Sequence, residues 1–179
     1  MQTLEDYLDE NLAILSIGLN PSTISVEKGY YFANPRNRFW KALNASGLVD
    51  EPLVPSVAAQ EKLFLKYKIG FTDVVKRHSS MGKDLVAADY KKWVPVLEET
   101  IHKYRPAICW FHGKVAMKKF LQYGDSKQKD VVWGLQKFSF ADAHVFVTPN
   151  PSPANAAYSL EQISEWYQEL HALYCGINK

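Results

Sequence analysis

Cysteine and metal-ligand patterns are scarce in this chain, and their scarcity removes several classes of protein. Its 179 residues include two cysteines, Cys109 and Cys175, too few for a four-thiolate iron–sulfur cluster or a zinc ribbon. The five histidines show no metal-ligand spacing. Gly113-Lys114 lacks the other glycine and the hydroxyl residue of an ATP-binding Walker loop. We therefore predict a protein with no metal ion and no other cofactor.

Long apolar runs and a large net charge are also missing. No apolar run approaches the roughly 18 residues of a membrane span, and the acidic start Met1–Asp6 is unlike a signal peptide. We therefore expect a cytoplasmic protein with no membrane partner. The net charge is only +2, below the positive bias typical of proteins that bind long duplexes non-specifically. A compact reader of a single nucleotide needs no larger charge, so a nucleic-acid partner is neither required nor excluded.

The chain is rich, by contrast, in apolar and aromatic residues, which make up 47% and 13% of it. Short apolar runs typical of buried strands alternate with amphipathic stretches typical of helices. This alternation predicts an α/β fold, specifically a three-layer α/β/α sandwich around a mostly parallel central sheet. No repeat or linker interrupts the chain, so we expect residues 1–179 to form a single domain. We also expect the protein to be a monomer.

The same patterns predict the individual elements. Strands are expected at 12–17, 69–75, 107–111 and 145–147, with a hairpin formed by 131–133 and 138–140. Helices are expected at 3–10, 34–47, from about 55, 89–104, 113–121 and from Ser159, where Ser-x-x-Gln forms a capping box. Pro95 fits its helix only if the regular helix begins near it. Residues 21–33 are expected to be an extended functional loop, and residues 76–83 a surface loop.

Two strand ends carry similar polar segments. The first strand stops at Gly18, followed by Leu19-Asn20-Pro21-Ser22, and the last strand runs into Pro149–Pro153. Parallel strands would bring Asn20 and Asn150 to the same edge of the sheet, where ligands bind in open α/β folds. Asparagine beside proline is also ordinary turn chemistry. The alternative is therefore that both segments only close loops.

Carboxamide side chains can orient a water molecule or hydrogen-bond the polar edge of a ring, but they are poor proton acceptors. A site built on Asn20 and Asn150 would suit a reaction whose transition state is mainly dissociative.

Three segments together resemble a known family. Gly18-Leu19-Asn20-Pro21, the stretch Gly29–Lys41 and Pro149–Ser152 are similar to the mismatch-specific uracil/thymine-DNA glycosylases. These enzymes form the Mug/thymine-DNA glycosylase branch of the uracil-DNA glycosylase superfamily. The likeness runs from about residue 12 to the final helix, and its most specific part is Phe-Ala-x-Pro-x-Asn-Arg-Phe-Trp at 32–40. The resemblance implies a monofunctional glycosylase of base excision repair. It would flip uracil out of duplex DNA, chiefly from G·U mispairs, and hydrolyse its N-glycosidic bond.

The resemblance also implies roles for individual residues. Asn20 matches the catalytic asparagine that orients the attacking water, and Asn150 faces the sugar and base from the opposite side. Phe32 matches the aromatic residue that stacks on the flipped base. Other residues expected to contact the base are Gly18, Leu19, Pro21, Ser22 and Asp73. Those expected to contact DNA are Arg36, Lys114, Ser152, Pro153, Ala154 and Asn155.

Several charged residues keep two interpretations. Asp73 could enter the base pocket or cap the loop that follows its strand. Arg36 and Arg38 lie at a predicted helix N-terminus, an unfavourable place for a cation. This position is a mild indication of phosphate binding, and a solvated surface position is the default interpretation.

The remaining candidates are weaker. Lys114 could be a nucleophile, but a position on the surface or near a phosphate fits its helix start better. Arg77 and Lys83 could touch phosphates or could simply be solvated. His112 stands at a strand end, and we interpret it as a core or rim histidine rather than a catalytic one.

The chain departs from the family pattern at two places. Ser22 stands where a glycine is usual, and Pro153–Tyr158 replaces the Gly-Leu-Ser-Arg type of loop with one residue more. The apolar plug and the guanine-reading arginine of that loop have no match here. Rival hypotheses are therefore excision of hypoxanthine or of single-stranded uracil, a non-catalytic module that binds damaged bases, or a nucleotide-binding enzyme of another α/β family.

Overall fold

The computed structural model describes residues 2–178. The strands are β1 (Ile14–Gly18), β2 (Ile69–Asp73), β3 (Ile108–His112), β4 (Gly134–Phe140) and β5 (Ala143–Thr148). The helices are α1 (Thr23–Lys28), α2 (Phe39–Asn44), α3 (Val57–Leu65), α4 (Ala87–Tyr104), α5 (Lys114–Tyr123) and α6 (Leu160–Ile177).

The five strands form one sheet in the order β2-β1-β3-β5-β4. The first four of these are mutually parallel, and β4 pairs antiparallel with β5 at one edge. Separate apolar clusters cover the two faces, one containing Phe39 of α2 and Tyr167 of α6, the other Val94 of α4 and Phe120 of α5. The predicted three-layer α/β/α sandwich with a mostly parallel sheet is therefore confirmed.

The four parallel strands end almost level with one another. Gly18 lies opposite Asp73 in the β1–β2 pair, and His112 lies opposite Thr148 in the β3–β5 pair. Because Ile17 also pairs with Phe111, the carboxyl ends of all four strands form a single edge. The residues that follow each of these strands therefore lie at that edge of the sheet.

The N-terminal segment corrects one prediction. Residues 3–10 do not form a helix; they run extended beside β2, where the backbones of Tyr7 and Phe71 exchange hydrogen bonds of 2.9 and 3.1 Å. Gly70 permits this approach, because a Cβ there would collide with the carbonyl oxygen of Tyr7. A short isolated helix is only marginally stable in water, whereas the open edge of β2 supplies partners for both backbone groups of Tyr7.

Two further boundaries differ from those predicted. Residues 21–33 are not a continuous loop, because they contain the short helix α1, which ends at Gly29 with a left-handed φ of 77°. The helix expected over 34–47 begins only at Phe39, and residues before it form turns.

The predicted hairpin and the prediction that the regular helix begins near Pro95 were also wrong. The hairpin joins β4 to β5 through Ala141 and Asp142, which take left-handed φ values of 48° and 66°. Residues 131–133 lie outside any strand. Helix α4 runs unbroken past Pro95, which faces solvent while Val94 and Leu97 are buried. The capping box at Ser159 is confirmed, with Ser159 Oγ accepting from Gln162 N at 3.1 Å and Gln162 Oε1 accepting from Ser159 N at 2.9 Å.

Between residues 2 and 178, no helix is long and apolar enough to cross a membrane. The same part of the chain holds no group of three or more His, Cys, Asp or Glu side chains arranged for a metal ion. The single domain and the monomeric state stay predictions.

Candidate active site

A cleft of about 800 Å³ opens at the carboxyl edge of the sheet. Its walls come from the segments after β1, β2, β3 and β5 and from the aromatic turn before α2. All of the residues predicted to act on the base or on DNA line it: Gly18, Leu19, Asn20, Pro21, Ser22, Phe32, Arg36, Asp73, Lys114, Asn150, Ser152, Pro153, Ala154 and Asn155. The sequence therefore predicted residues that converge in space, while their chemical roles remain predictions.

Asn20 is held in one orientation by the segment after β2. Its Nδ2 donates to the carbonyl oxygen of Arg77 at 2.9 Å and to Ser79 Oγ at 2.8 Å. Ser79 in turn donates to the carbonyl oxygen of Met81 at 2.8 Å. Both amide hydrogens of Asn20 are thus used by the protein, which leaves Oδ1 as the atom available to accept a hydrogen bond.

Ser22 has a structural role that explains why a hydroxyl can stand in place of glycine. As the N-cap of α1, its Oγ accepts from Ser25 N at 3.1 Å and donates to Ser25 Oγ at 3.0 Å. Ser25 Oγ accepts from Ala33 N at 3.2 Å. This chain of hydroxyls ties the end of β1 to the aromatic turn, while Ser22 still lines the cleft.

Phe32 lies on the aromatic turn in a strained conformation. Its φ of 57° is left-handed, which is uncommon for a bulky residue and is typical of functional sites. One ring face stacks on Phe39 at 4.1 Å and 19°, and the ring meets His112 edge-on at 4.9 Å. Phe32 remains half-buried and lines the cleft, so the turn presents an aromatic surface on a rigid base.

Asp73 is buried at the end of β2 and lines the cleft. No backbone N–H within residues 2–178 bonds to its carboxyl group, so the loop-cap interpretation is wrong, and Oδ2 has no partner there. Burial, with a smaller contribution from Asp6, raises the pKa of Asp73 to about 7 against the opposing effect of Lys76. A Cβ at Gly18 would stand 2.5 Å from Asp73 Oδ1, so the glycine makes room for this carboxyl.

Asn150 begins the opposite wall of the cleft. Its Oδ1 accepts from Ser152 N at 3.0 Å, and its backbone oxygen accepts from Asn155 Nδ2 at 3.0 Å. Gly113, with a φ of 98°, lets Asn150 pack on β3, since a Cβ there would be 3.3 Å from Asn150 Cβ. The amide nitrogen of Asn150 is therefore the group it can offer to a ligand.

Arg38 organises the loop after β5 instead of binding phosphate. Its guanidinium group donates to four backbone oxygens of that loop, those of Pro151, Ser152, Asn155 and Tyr158, with the Ser152 and Asn155 bonds both at 2.7 Å. With its guanidinium committed to the loop, the phosphate hypothesis for Arg38 is wrong.

The other cationic side chains near the cleft differ in whether they contact other protein groups. Arg77 forms a bidentate ion pair with Asp89 at 2.9 and 2.7 Å, which lowers the pKa of Asp89 and removes Arg77 from phosphate binding. Lys114 Nζ lies 4.6 Å from the centre of the Trp133 ring. Arg36 and Lys83 are exposed at the rim of the cleft.

Sequence reasoning missed several residues of the cleft wall. Trp133 and Tyr158 meet edge-on at 5.3 Å and form an aromatic rim beside Lys114. His112 is fully buried, with Nε2 at 2.7 Å from Ser16 Oγ, and burial lowers its pKa to about 3. This burial agrees with the interpretation of His112 as a core or rim histidine, whereas its contact with Ser16 was not predicted.

Comparison with known proteins agrees with this geometry. The model of the Uracil DNA glycosylase superfamily matches residues 5–171. The chain belongs to this superfamily. A similar solved structure is the solution NMR structure of a Methanosarcina acetivorans protein provisionally named a uracil DNA glycosylase. It is 25% identical in sequence, with a TM-score of 0.61, and the alignment covers 99% of this chain and 98% of that one. Superfamily membership supports DNA glycosylase chemistry at the cleft.

Proposed function

We propose that this member of the superfamily is a monofunctional, mismatch-specific glycosylase that removes uracil from G·U mispairs in duplex DNA, as in the Mug/thymine-DNA glycosylase branch. The observation that carries the proposal is the fixed amide of Asn20, whose free oxygen lies in a cleft also lined by Phe32 and Asn150. A water held by that oxygen would be placed to attack the sugar of a base bound in the cleft.

The chemistry requires the base to leave the helix first. Flipping a nucleotide costs a few kcal/mol, and the cost is lowest at a mispair such as G·U. Stacking on an aromatic ring such as Phe32 returns roughly 1–3 kcal/mol. Because Phe32 is already fixed against Phe39, little ordering is needed when the base arrives.

Bond cleavage is proposed to be mainly dissociative. Positive charge builds on the sugar and negative charge on the departing base, and preorganised donors around the base stabilise that anion. The amide nitrogen of Asn150 is one such donor. Asn20 is a poor proton acceptor, so it would hold the water rather than deprotonate it, and we expect slow turnover.

No lysine Schiff base is part of this mechanism. Lys114 lies over the Trp133 ring at the rim, where its charge fits a phosphate better than a sugar carbon. The reaction would therefore end with free base and an intact abasic strand.

Asp73 is proposed to read the base. A protonated carboxyl offers one donor and one acceptor, which matches the adjacent carbonyl and N–H of uracil. An ionised carboxylate offers acceptors alone and would repel the carbonyl. With a pKa raised to about 7, a large share of Asp73 is in the matching form at neutral pH.

The DNA is proposed to lie across the rim of the cleft. Arg36, Lys83 and Lys114 are placed to meet phosphates, and residues 152–155, held by Arg38, would enter the duplex where the base has left. The loop carries small side chains there, so its fixed backbone would fill the gap in place of a bulky plug.

The test is a panel of matched oligonucleotides containing G·U, A·U, G·T, a hypoxanthine pair and single-stranded uracil. We expect excision to be fastest from G·U, with free uracil as product and no strand cleavage before alkali. Release of hypoxanthine alone, or of uracil from single strands in preference to G·U, would contradict the substrate. Duplex binding without release of any base over hours would favour a non-catalytic binding module.

A further inference from the structure

His112 occupies the floor of the cleft without a part in the mechanism above. Its ring lies among Phe32, Phe39, Trp110 and Tyr167, with ring-centre distances from 4.4 to 6.4 Å. Only 2% of the residue is exposed, yet it lines the cleft. An imidazole buried in this way is a neutral, rigid hydrogen-bonding group.

The hydrogen bond to Ser16 determines the tautomer of His112. Its Nε2 is 2.7 Å from Ser16 Oγ, which is itself buried. If Nε2 carried the proton, the Ser16 hydroxyl would need another acceptor, and its one side-chain hydrogen bond within residues 2–178 is that to His112. Ser16 therefore donates to Nε2, and the neutral ring carries its proton on Nδ1.

The Nδ1–H group is then a donor without an acceptor. In the described part of the chain, Nδ1 is buried and has no hydrogen-bond partner. Buried polar groups in native proteins are normally paired, and each exception calls for an explanation. Because His112 lines a ligand cleft, the missing partner of its Nδ1–H group is explained by an acceptor on the ligand.

The position of His112 relative to Asp73 suggests which acceptor. The two residues end strands on either side of β1, roughly 10 Å apart at two strand spacings. Both side chains point to the same face, because Phe71 and Trp110, two residues earlier in their strands, belong to the same apolar cluster. Gly18 between them adds no side chain, so both polar groups border one space.

We propose that His112, fixed by Ser16 as the Nδ1–H tautomer, contacts the flipped base and donates a hydrogen bond to a carbonyl oxygen of uracil. This inference rests on the proposed function and deepens it. Asp73 in its neutral form adds one donor and one acceptor. Together they present donor, acceptor and donor to the carbonyl, N–H and carbonyl of an imide ring.

This pattern favours an imide pyrimidine over hypoxanthine. The six-membered ring of hypoxanthine offers one carbonyl and one N–H, followed by a C–H that would leave one protein donor unpaired. A substrate that leaves a buried donor of the site unpaired is strongly rejected relative to one that pairs with it. Because His112 is neutral, it would also stabilise negative charge on the departing uracil without transferring a proton.

The first experiment compares single-turnover excision from a G·U duplex by the wild type, His112→Phe and His112→Asn. His112→Phe keeps a ring in the aromatic cluster and removes the donor, so we expect a loss of roughly 100-fold, the scale of losing one preorganised donor. His112→Asn restores a donor and is expected to recover part of the rate. His144→Phe, at an exposed histidine on the opposite edge of the sheet, is the control with unchanged rate.

A second measurement does not depend on whether a variant folds. The ¹⁵N NMR spectrum of wild-type His112 is recorded free and with a G·U duplex carrying 2′-fluoro-2′-deoxyuridine, which resists cleavage. We expect the Nδ1–H tautomer in the free protein and a shift of the Nδ1 signal on binding. Ser16→Ala is expected to mix the two tautomers and to slow excision, because Ser16 acts by positioning His112.

The outcomes separate the two proposals. If the wild type releases no uracil from any duplex, the proposed function fails. If the wild type is active but His112→Phe is equally fast, or if Nδ1 carries no proton, or if its signal ignores the bound duplex, the role of His112 is overturned and the proposed function stands.

Discussion

Asn20 keeps both of its amide hydrogens on protein acceptors, the carbonyl oxygen of Arg77 and Ser79 Oγ, so its oxygen is free for water. Asp73 and His112 are also affected by their surroundings, since burial raises the pKa of the acid to about 7 and lowers that of the histidine to about 3. Near neutral pH the cleft therefore relies mainly on uncharged groups. Such groups can orient a water and a base without attracting counter-ions of their own.

Replacing Asn20 tests the water-holding role. In Asn20→Ala, we expect excision from a G·U duplex to fall by at least about 100-fold, because the water loses its fixed acceptor. Duplex affinity, measured by fluorescence anisotropy, is expected to change by less than threefold. Asn11→Ala, at an exposed asparagine remote from the cleft, serves as the control. A wild-type rate in Asn20→Ala would remove Asn20 from the mechanism.

Asp73 makes a prediction about stability and pH. Below its ordinary pKa of 3.8 the carboxyl is protonated in both folded and unfolded chains. Between 3.8 and about 7 only the unfolded chain loses the proton, so the free energy of unfolding falls as pH rises through that window and then levels off.

Asp73→Asn removes this titration. We expect the stability of the variant relative to wild type, from urea unfolding at pH 4 to 8, to rise by up to about 4 kcal/mol across the window. A difference that stays constant with pH would show that the carboxyl is already ionised in the folded protein.

At the residue scale, sequence reasoning succeeded where a motif marks a strand end. Asn20 and Asn150 were found in this way and Phe32 through the aromatic motif at 32–40, and all three line the cleft. The hydrogen bonds of Arg38 and His112 could not be predicted, for a shared reason. Their partners, the loop after Asn150 and the hydroxyl of Ser16, lie 96 or more residues away in the chain, and only the fold reveals such pairs.

At the scale of elements, the cleft depends on two irregular segments held by side chains. The hydroxyl chain from Ser22 holds the aromatic turn, and Arg38 holds residues 150–158. Backbone groups in these segments lack the hydrogen bonds of helices or strands, so side-chain donors and acceptors supply them.

The Arg38 interaction is tested with Arg38→Met, which keeps an apolar stem and removes the donors. Hydrogen bonds to charged groups contribute about 1.5–3 kcal/mol each when isolated, and we expect a total stability loss of about 2–5 kcal/mol. Amide exchange over residues 150–158 should quicken, and excision should fall. Arg36→Met, which removes an exposed neighbouring charge, should leave exchange in that loop unchanged; equal protection in both variants would refute the loop-holding role.

Helix α4 offers a second test at this scale. Pro95 lacks an N–H and leaves the carbonyl of Lys91 without its helical partner. Because Pro95 is exposed, Pro95→Ala restores that bond without changing the core, and we expect a gain of about 1–2 kcal/mol in chemical unfolding. Val96→Ala, at the next exposed position, should shift stability by less than about 0.5 kcal/mol. A destabilised Pro95→Ala would mean that the helix is shaped around the proline.

Elements with strong periodicity or a cap were predictable, and those decided by distant partners were not. The capping box at Ser159 marked α6 correctly, because its signal is local. The N-terminal segment became an added strand-like edge through Tyr7 and Phe71, and nothing within residues 3–10 encodes that pairing. Pro95 misled because local propensity was outweighed by the burial of Val94 and Leu97.

At the scale of the whole molecule, the small net charge of +2 limits how DNA is held. Arg36, Lys83 and Lys114 line the cleft, while Arg38 and Arg77 are committed to the protein. Three phosphate contacts predict that log K falls with log salt concentration at a slope of about −3.

The alternation of strands and helices predicted the layers of the fold, whereas the strand order required the structure.

This slope can be measured by titrating a G·U duplex at several salt concentrations. Arg36→Gln is expected to make the slope shallower by about 1 and to weaken binding to matched and mispaired duplexes alike. Arg105→Gln, at the C-terminus of α4 on the opposite edge of the sheet, should have no effect. Equal slopes for wild type and Arg36→Gln would place the DNA elsewhere.

The position of β5 has a consequence for how the protein is made. It inserts between β3 and β4 although it is synthesised after both, and it leads directly to Asn150 and the loop that Arg38 holds. During synthesis the residues of the first wall of the cleft emerge before those of the second. In the proposed mechanism, opening a glycosidic bond therefore has to wait until residues 143–158 are in place, and an incomplete chain would leave DNA intact.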